Sequence, residues 1–122
     1  MKLAIPTENK TLETKVHPSF GRAPYFLIYD VDTKESKFIE NTAATSTGGA
    51  GIKAAQIIVD SNVDTLLTAQ LGENAAAVLK PADVKIYKSV TGSLQDNIDA
   101  FVDGKLSLLD NVHAGYHGRR MR

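Results

Sequence analysis

GIKAAQIIVDSNVDTLLTAQLGENAAAVLKPADVKIY, residues 51–87, decides the fold. Its first part sets Ile52, Ala55, Ile58 and Val59 at spacings of three and four, the period of an amphipathic helix that ends near Asn62. Thr65 to Ala69 is a compact apolar run of strand length. Glu73 to Lys80 reads as an Ala-rich helix with Ala75, Val78 and Leu79 inward and Pro81 marking its end. Val84 to Tyr87 is a further strand. Strands that alternate with helices are parallel and joined by crossovers, which are right-handed with very few exceptions.

The flanks extend this pattern. Downstream, Ser93 caps a third helix, with Asp96 three residues on in a capping-box position. Leu94, Ile98, Phe101 and Val102 form its apolar stripe, Gly104 terminates it, and Leu106 to Leu109 packs back as a last apolar turn. Upstream, Tyr25 to Val31 and Ser36 to Glu40 flank the turn Asp32–Glu35 and predict a hairpin. Leu3 to Pro6 is a short buried strand, and the polar, aperiodic stretch Thr7 to Lys15 reads as a mobile loop. The order is strand, hairpin, then alternating helices and strands. It predicts a three-layer α/β domain with a mixed sheet of five strands over residues 1–110. Residues 111–122, rich in Gly, His and Arg, read as a flexible basic tail.

Charge and composition exclude several classes of function. With 43% hydrophobic and 23% charged residues in 122, the chain suits one globular domain with a sizeable core. The formal net charge is zero, but Arg119, Arg120 and Arg122 sit in the last four residues. In residues 1–118, 14 acidic side chains therefore face 11 basic ones. A body of that sign is a poor partner for a phosphate backbone, so nucleic acid is not expected. With no cysteine, thiolate ligation and disulfides within the chain are excluded. The apolar run in MKLAIPT is too short for a signal peptide or a membrane span, so a cytoplasmic protein without membrane contact is expected.

Two segments have the composition of a binding site, and in open α/β sheets ligands collect where strands end and helices begin. The first is SFGRAPYF, residues 19–26, behind His17 and Pro18. Its prolines exclude a regular helix, and its aromatics anchor it. Gly21 permits a close backbone approach, and Arg22 offers five fixed donors to an anion. The plainer reading makes Phe20 and Phe26 core and Arg22 a surface charge. The second is TSTGGAG, residues 45–51, entering the first helix. Gly48, Gly49 and Gly51 allow close approach, and a helix start presents unpaired N–H groups to an anion, with Lys53 nearby. It matches neither the P-loop nor the dinucleotide fingerprint, and tight packing on the sheet explains its glycines equally well. Of the three histidines, His113 and His117 fall in the tail beside Gly115 and Gly118. That leaves His17 as the imidazole able to serve as a metal ligand, or simply as polar surface.

Signatures of catalysis are missing: there is no cysteine nucleophile and no serine in a nucleophile elbow. A sheet of this order suggests ribonuclease-H-like nucleases, which hold two metal ions with carboxylates at strand ends, yet the first strand LAIPT carries no acid. The chain is therefore expected not to be an enzyme.

Several segments together resemble one family over residues 1–109: KLAIPT (2–7), FGRAPYFLIYDVD (20–32), GAGIKAAQ (49–56), VDTLLTAQLGENAAAVL (63–79), VKIY (84–87) and DGKL (103–106). The family is that of the dinitrogenase iron–molybdenum cofactor proteins. The resemblance implies a ribonuclease-H-like fold used without nuclease activity, and binding of an iron–molybdenum or iron–sulfur type cluster or its precursor. Such a cluster is anionic and suits Arg22, glycine amides and one imidazole. Many members place a histidine directly before Phe-Gly, where this chain has Ser19; HPSFGR (17–22) puts the histidine at His17 instead. The implied cofactor-binding set is His17, Ser19, Phe20, Gly21, Arg22, Gly48, Gly49 and Gly51, with His17 as the metal ligand. Without cysteine, the cluster would be bound weakly and bring its own sulfides. Cofactor-assembly proteins are the implied partners, with the chain a monomer or a weak homodimer. Two other readings remain open: a protein–protein adaptor that binds no cluster, and an enzyme acting on a phosphorylated small molecule at Gly48–Gly51.

Overall fold

Every residue from Leu3 to Thr7 is buried, because β1 (Lys2–Thr7) has a strand on each side and a helical layer on each face. The computed structural model describes residues 1–109; the tail, with His113 and His117, lies outside the described residues. On one side β1 pairs antiparallel with β2 (Tyr25–Asp30), which continues into the antiparallel β3 (Ser36–Glu40). On its other side it pairs parallel with β4 (Thr65–Thr68), and β4 pairs parallel with β5 (Lys85–Lys88). The sheet is mixed and five-stranded, as the alternation of periods implies, and its strand order is β3-β2-β1-β4-β5.

The two-residue period of the strands sorts their side chains between two cores. Ala4, Phe26, Leu66 and Ile86 face α1 (Ala50–Asp60) and α2 (Glu73–Leu79), where they meet Ala54, Ala55, Ile58, Ala75, Ala76 and Leu79. Leu3, Ile5, Leu27, Tyr29 and Leu67 face Leu94 and Ile98 of α3 (Leu94–Val102), and Tyr87 packs edge-on against Phe101 at 5.2 Å. No helix among the described residues is long and apolar enough to cross a membrane.

Three local expectations change. First, Ile52 is 44% exposed and Val102 57% exposed, although both fall on the expected apolar stripes. On α1 the buried positions are Ala50, Ala54, Ala55 and Ile58, because the helix meets α2 through small residues; a Cβ on Gly51 would lie only 3.7 Å from Ala75 Cβ. On α3 the buried apolar pair Leu94 and Ile98 is joined by Asn97, and Val102 lies in the last turn before a Schellman ending. There Gly104, at φ +73°, donates to Phe101 O (3.0 Å) and Lys105 donates to Ala100 O (2.8 Å).

Second, the polar stretch Thr7 to Lys15 is pinned rather than free. Thr7 bridges Val16, and Lys15 bridges Ser93. The first amides of α3, on Leu94 and Gln95, donate to Thr14 O (2.8 Å) and Leu12 O (3.1 Å), so this loop supplies acceptors that a helix start otherwise lacks. Third, the segment after Leu106 is extended along β5 instead of turning. Lys88 donates to Ser107 O and Leu109 to Ile86 O, both at 2.8 Å.

The β2–β3 turn is closed by Asp30, whose Oδ1 accepts from the amides of Asp32 (2.8 Å) and Thr33 (3.3 Å). Those two bonds favour the ionised form and hold the carboxyl below its ordinary value. A depressed folded-state pKa contributes stability above the unfolded value that is lost as pH falls through the folded one. Asp30→Asn should therefore flatten the acid limb of a stability-versus-pH curve below about pH 4, leaving its shape above pH 6 unchanged. Urea melts across that range measure both.

Candidate functional site

The loop between β1 and β2 is shaped by its own small residues and by one buried amide from across the sheet. Ala23 donates to Ser19 O at 3.0 Å, closing a turn, and Phe20, 4% exposed, fills core space 5.4 Å from the ring of Phe26. Asn41, also 4% exposed, reaches the same turn from the end of β3. Its Nδ2 donates to Gly21 O (3.1 Å) and Ala23 O (2.8 Å), its Oδ1 accepts from Ala43 N–H (3.1 Å), and its own amide donates to Pro24 O (2.9 Å). Arg22 ties the loop to the next segment as well. Its Nη1 donates to Ala44 O (2.9 Å), within the 3₁₀ turn Thr42–Thr45, and to Ser46 O (2.8 Å), just after it.

Held in this way, the loop lies against the first turn of α1. A Cβ on Gly21 would sit 3.1 Å from Gly51 N and 3.3 Å from Ala50 C, closer than side chains normally approach backbone. The close approach anticipated at Gly21 is thus to the helix itself. Gly49 caps that helix in the left-handed region, φ +68°, and no side chain bonds to the helix start. The amides of Ala50, Gly51 and Ile52 come before the first intrahelical bond, from Lys53 to Gly49 O, and carry the positive end of the helix dipole.

A third wall completes the site. Residues 70–75, from the end of β4 into α2, face this turn across a hollow of about 700 Å³. Phe20, Leu71 and Ile52 give it apolar surface, and Arg22, Glu73 and Asn74 give it polar rims. Gln70 Nε2 reaches Pro18 O at 3.5 Å, linking the third wall to the first. Six of the eight expected residues line the hollow: Ser19, Phe20, Gly21, Arg22, Gly49 and Gly51. Gly48 and His17 are not among the lining residues. His17 stands behind the wall, where Nδ1 lies 3.0 Å from Ser19 N and 3.1 Å from Ser19 O, and Nε2 lies 3.2 Å from Glu8 Oε1.

The chemistry of such a hollow is that of an anion receptor. Helix-start amides and a guanidinium meet beside apolar surface, and the described residues contain no cluster of three His, Cys, Asp or Glu able to hold a bare metal ion. Sequence reasoning missed two things. Asn41 reads as an ordinary polar residue after a strand. The Leu71-Gly72-Glu73 wall carries no signal of its own until the parallel β1–β4 pairing places it beside the first loop.

The profile of the family described as dinitrogenase iron-molybdenum cofactor matches residues 1–104. An uncharacterized protein of Methanocaldococcus jannaschii is 34% identical over 109 residues, covering 87% of this chain and 89% of the relative. Among solved structures, the apo form of the orange protein from Desulfovibrio gigas superposes with a TM-score of 0.85 at 30% identity, covering 89% of this chain and 92% of that one. A NifB-like protein of Thermotoga gives a TM-score of 0.80 at 38% identity, over 93% of this chain and 98% of the other.

Two glycine substitutions separate backbone contact from open space. Gly21→Ala forces the loop off α1 and should cost about 1–3 kcal/mol of unfolding free energy. Gly51→Ala, whose Cβ meets only Ala75 Cβ at ordinary distance, should change stability by less than about 1 kcal/mol. Urea unfolding of both variants beside the parent checks the contrast.

Proposed function

The chain belongs to the dinitrogenase iron–molybdenum cofactor family, and from that premise we propose that it is a non-enzymatic carrier of an anionic metal–sulfur cluster. The observation that carries the reading is the uncapped start of α1 beside Arg22 in a hollow without a thiol. A guest of iron–molybdenum or iron–sulfur type brings its own sulfides and its negative charge. The amides of Ala50, Gly51 and Ile52 and the guanidinium of Arg22 meet that charge, and Phe20 and Leu71 exclude water from one side. Donors alone, with no covalent ligand, make binding reversible, which is what transfer to a cofactor-assembly protein requires. The chemistry here is binding and release, with no step that makes or breaks a bond.

His17 holds the wall in this reading. Acting as a ligand would require the imidazole to give up either the Ser19 amide or Glu8, so its first role is to fix Ser19 at the edge of the hollow. A phosphorylated small molecule shares the anion chemistry of the same helix start and is the rival guest.

Anaerobic titration with tetrathiomolybdate, a small molybdenum–sulfur dianion, tests the proposal. The expected result is a saturable change in its visible spectrum. Arg22→Ala should weaken binding about tenfold, since a charge-assisted hydrogen bond contributes roughly 1.5–3 kcal/mol. His17→Ala should cost less than Arg22→Ala. Glu73→Gln, which removes a like charge from the rim, should tighten binding a few-fold. No spectral change with tetrathiomolybdate or with a synthetic iron–sulfur cluster contradicts the carrier reading. Competition by inorganic phosphate at comparable concentration transfers the site to the phosphorylated guest.

A further inference from the structure

Among the described residues, Asn41 is the one buried polar side chain joined to the carbonyls of the 19–24 loop, and its bonding is directional. Nδ2 takes both of its acceptors, Gly21 O and Ala23 O, from that loop, and Oδ1 is occupied by Ala43 N–H. A peptide is a rigid plane in which C=O and the following N–H point in opposite directions when trans, and the described chain has no cis peptide. Fixing Gly21 O on Asn41 therefore turns the Arg22 amide to the far side of its plane. No group among the described residues accepts from that amide. The same plane links Gly21, pressed on the first turn of α1, to Arg22, whose side chain borders the hollow.

We infer that Asn41 is a positioning residue for the anion site. It is not itself among the residues lining the hollow, yet through its bond to Gly21 O it sets the orientation of the Gly21–Arg22 peptide and so presents the Arg22 amide, with the guanidinium, as donors to the guest. The inference about binding rests on the carrier reading; the inference about the loop does not.

The molecule contains its own control. Asn97 is 0% exposed and bonded in the same way: Oδ1 accepts from Val90 N–H (2.8 Å), and Nδ2 donates to Val90 O (3.1 Å) and Ser93 O (2.9 Å). It staples the 90–93 turn on the α3 face and is not among the residues lining the hollow. Asn41→Asp and Asn97→Asp each keep the acceptor and remove both donor bonds. Both should lower the melting temperature by similar amounts. Only Asn41→Asp should weaken tetrathiomolybdate binding, by tenfold or more, and speed amide exchange at Ala23 by at least tenfold; Asn97→Asp should stay within twofold of the parent in both.

Unchanged affinity and exchange in Asn41→Asp, with the parent binding normally, overturns the positioning role and leaves the carrier reading standing. If the parent itself fails to bind, the carrier reading falls, and exchange at Ala23 alone decides whether Asn41 orders the loop. Should Asn41→Asp not fold, Asn41→Ser, which keeps an oxygen acceptor for Ala43 N–H, carries the same two measurements.

Discussion

The backbone of Gly21 lies against the first turn of α1 so closely that a Cβ there would press on helix backbone at 3.1–3.3 Å, and the site is built around that contact. It brings a loop from one side of the central strand onto a helix from the other side of the chain's hairpin. Neither partner could hold the arrangement alone. The loop lacks regular hydrogen bonds, so its carbonyls are taken by Asn41 and its arginine is fastened to Ala44 and Ser46. Each such bond contributes about 1 kcal/mol net, and losing one partner in a buried position costs more than that. Apart from those bonds, the loop is anchored chiefly by Phe20 against Phe26.

Topology decides where this contact falls. β1 is antiparallel to β2 and parallel to β4, so the connection leaving β1 and the one leaving β4 emerge at the same end of the sheet. That is the place where open α/β sheets collect ligands, because helix starts and strand ends meet there without side chains filling the crevice. The acid-free strand LAIPT brings no carboxylate of a two-metal nuclease to this end, and the polarity of the crevice comes from helix-start amides, Arg22, Glu73 and Asn74.

The sheet was legible because period-two and period-3.6 patterns follow from which faces are buried, and residues 51–87 switch between them cleanly. The hairpin was legible because Asp32–Glu35 interrupts two β-rich runs. Errors arose where tertiary contact overrode pattern. Ile52 fits the stripe of α1 but is displaced by the small-residue contact with α2, and Val102 fits the stripe of α3 but lies at its end. The first loop reads as mobile in the sequence because its anchors, Ser93, Leu94 and Gln95, are about eighty residues away along the chain. For the site, glycines and an arginine in aperiodic segments were sufficient to mark two walls. The third wall and Asn41 depend on long-range pairing, for which a single sequence carries no local signal. His17 stands out in the sequence by residue type alone, and the fold places it outside the hollow's lining with both ring nitrogens engaged behind Ser19.

The central claim is that negative charge is received by the helix-start amides and the loop pressed against them. Amide chemical shifts of the isotopically labelled protein during anaerobic addition of tetrathiomolybdate test it most directly. The account predicts progressive shifts at Gly21, Arg22, Ala50, Gly51 and Ile52, with Asn97 and the α3 face unmoved. Shifts centred on residues outside the hollow, with those five amides silent, would contradict it.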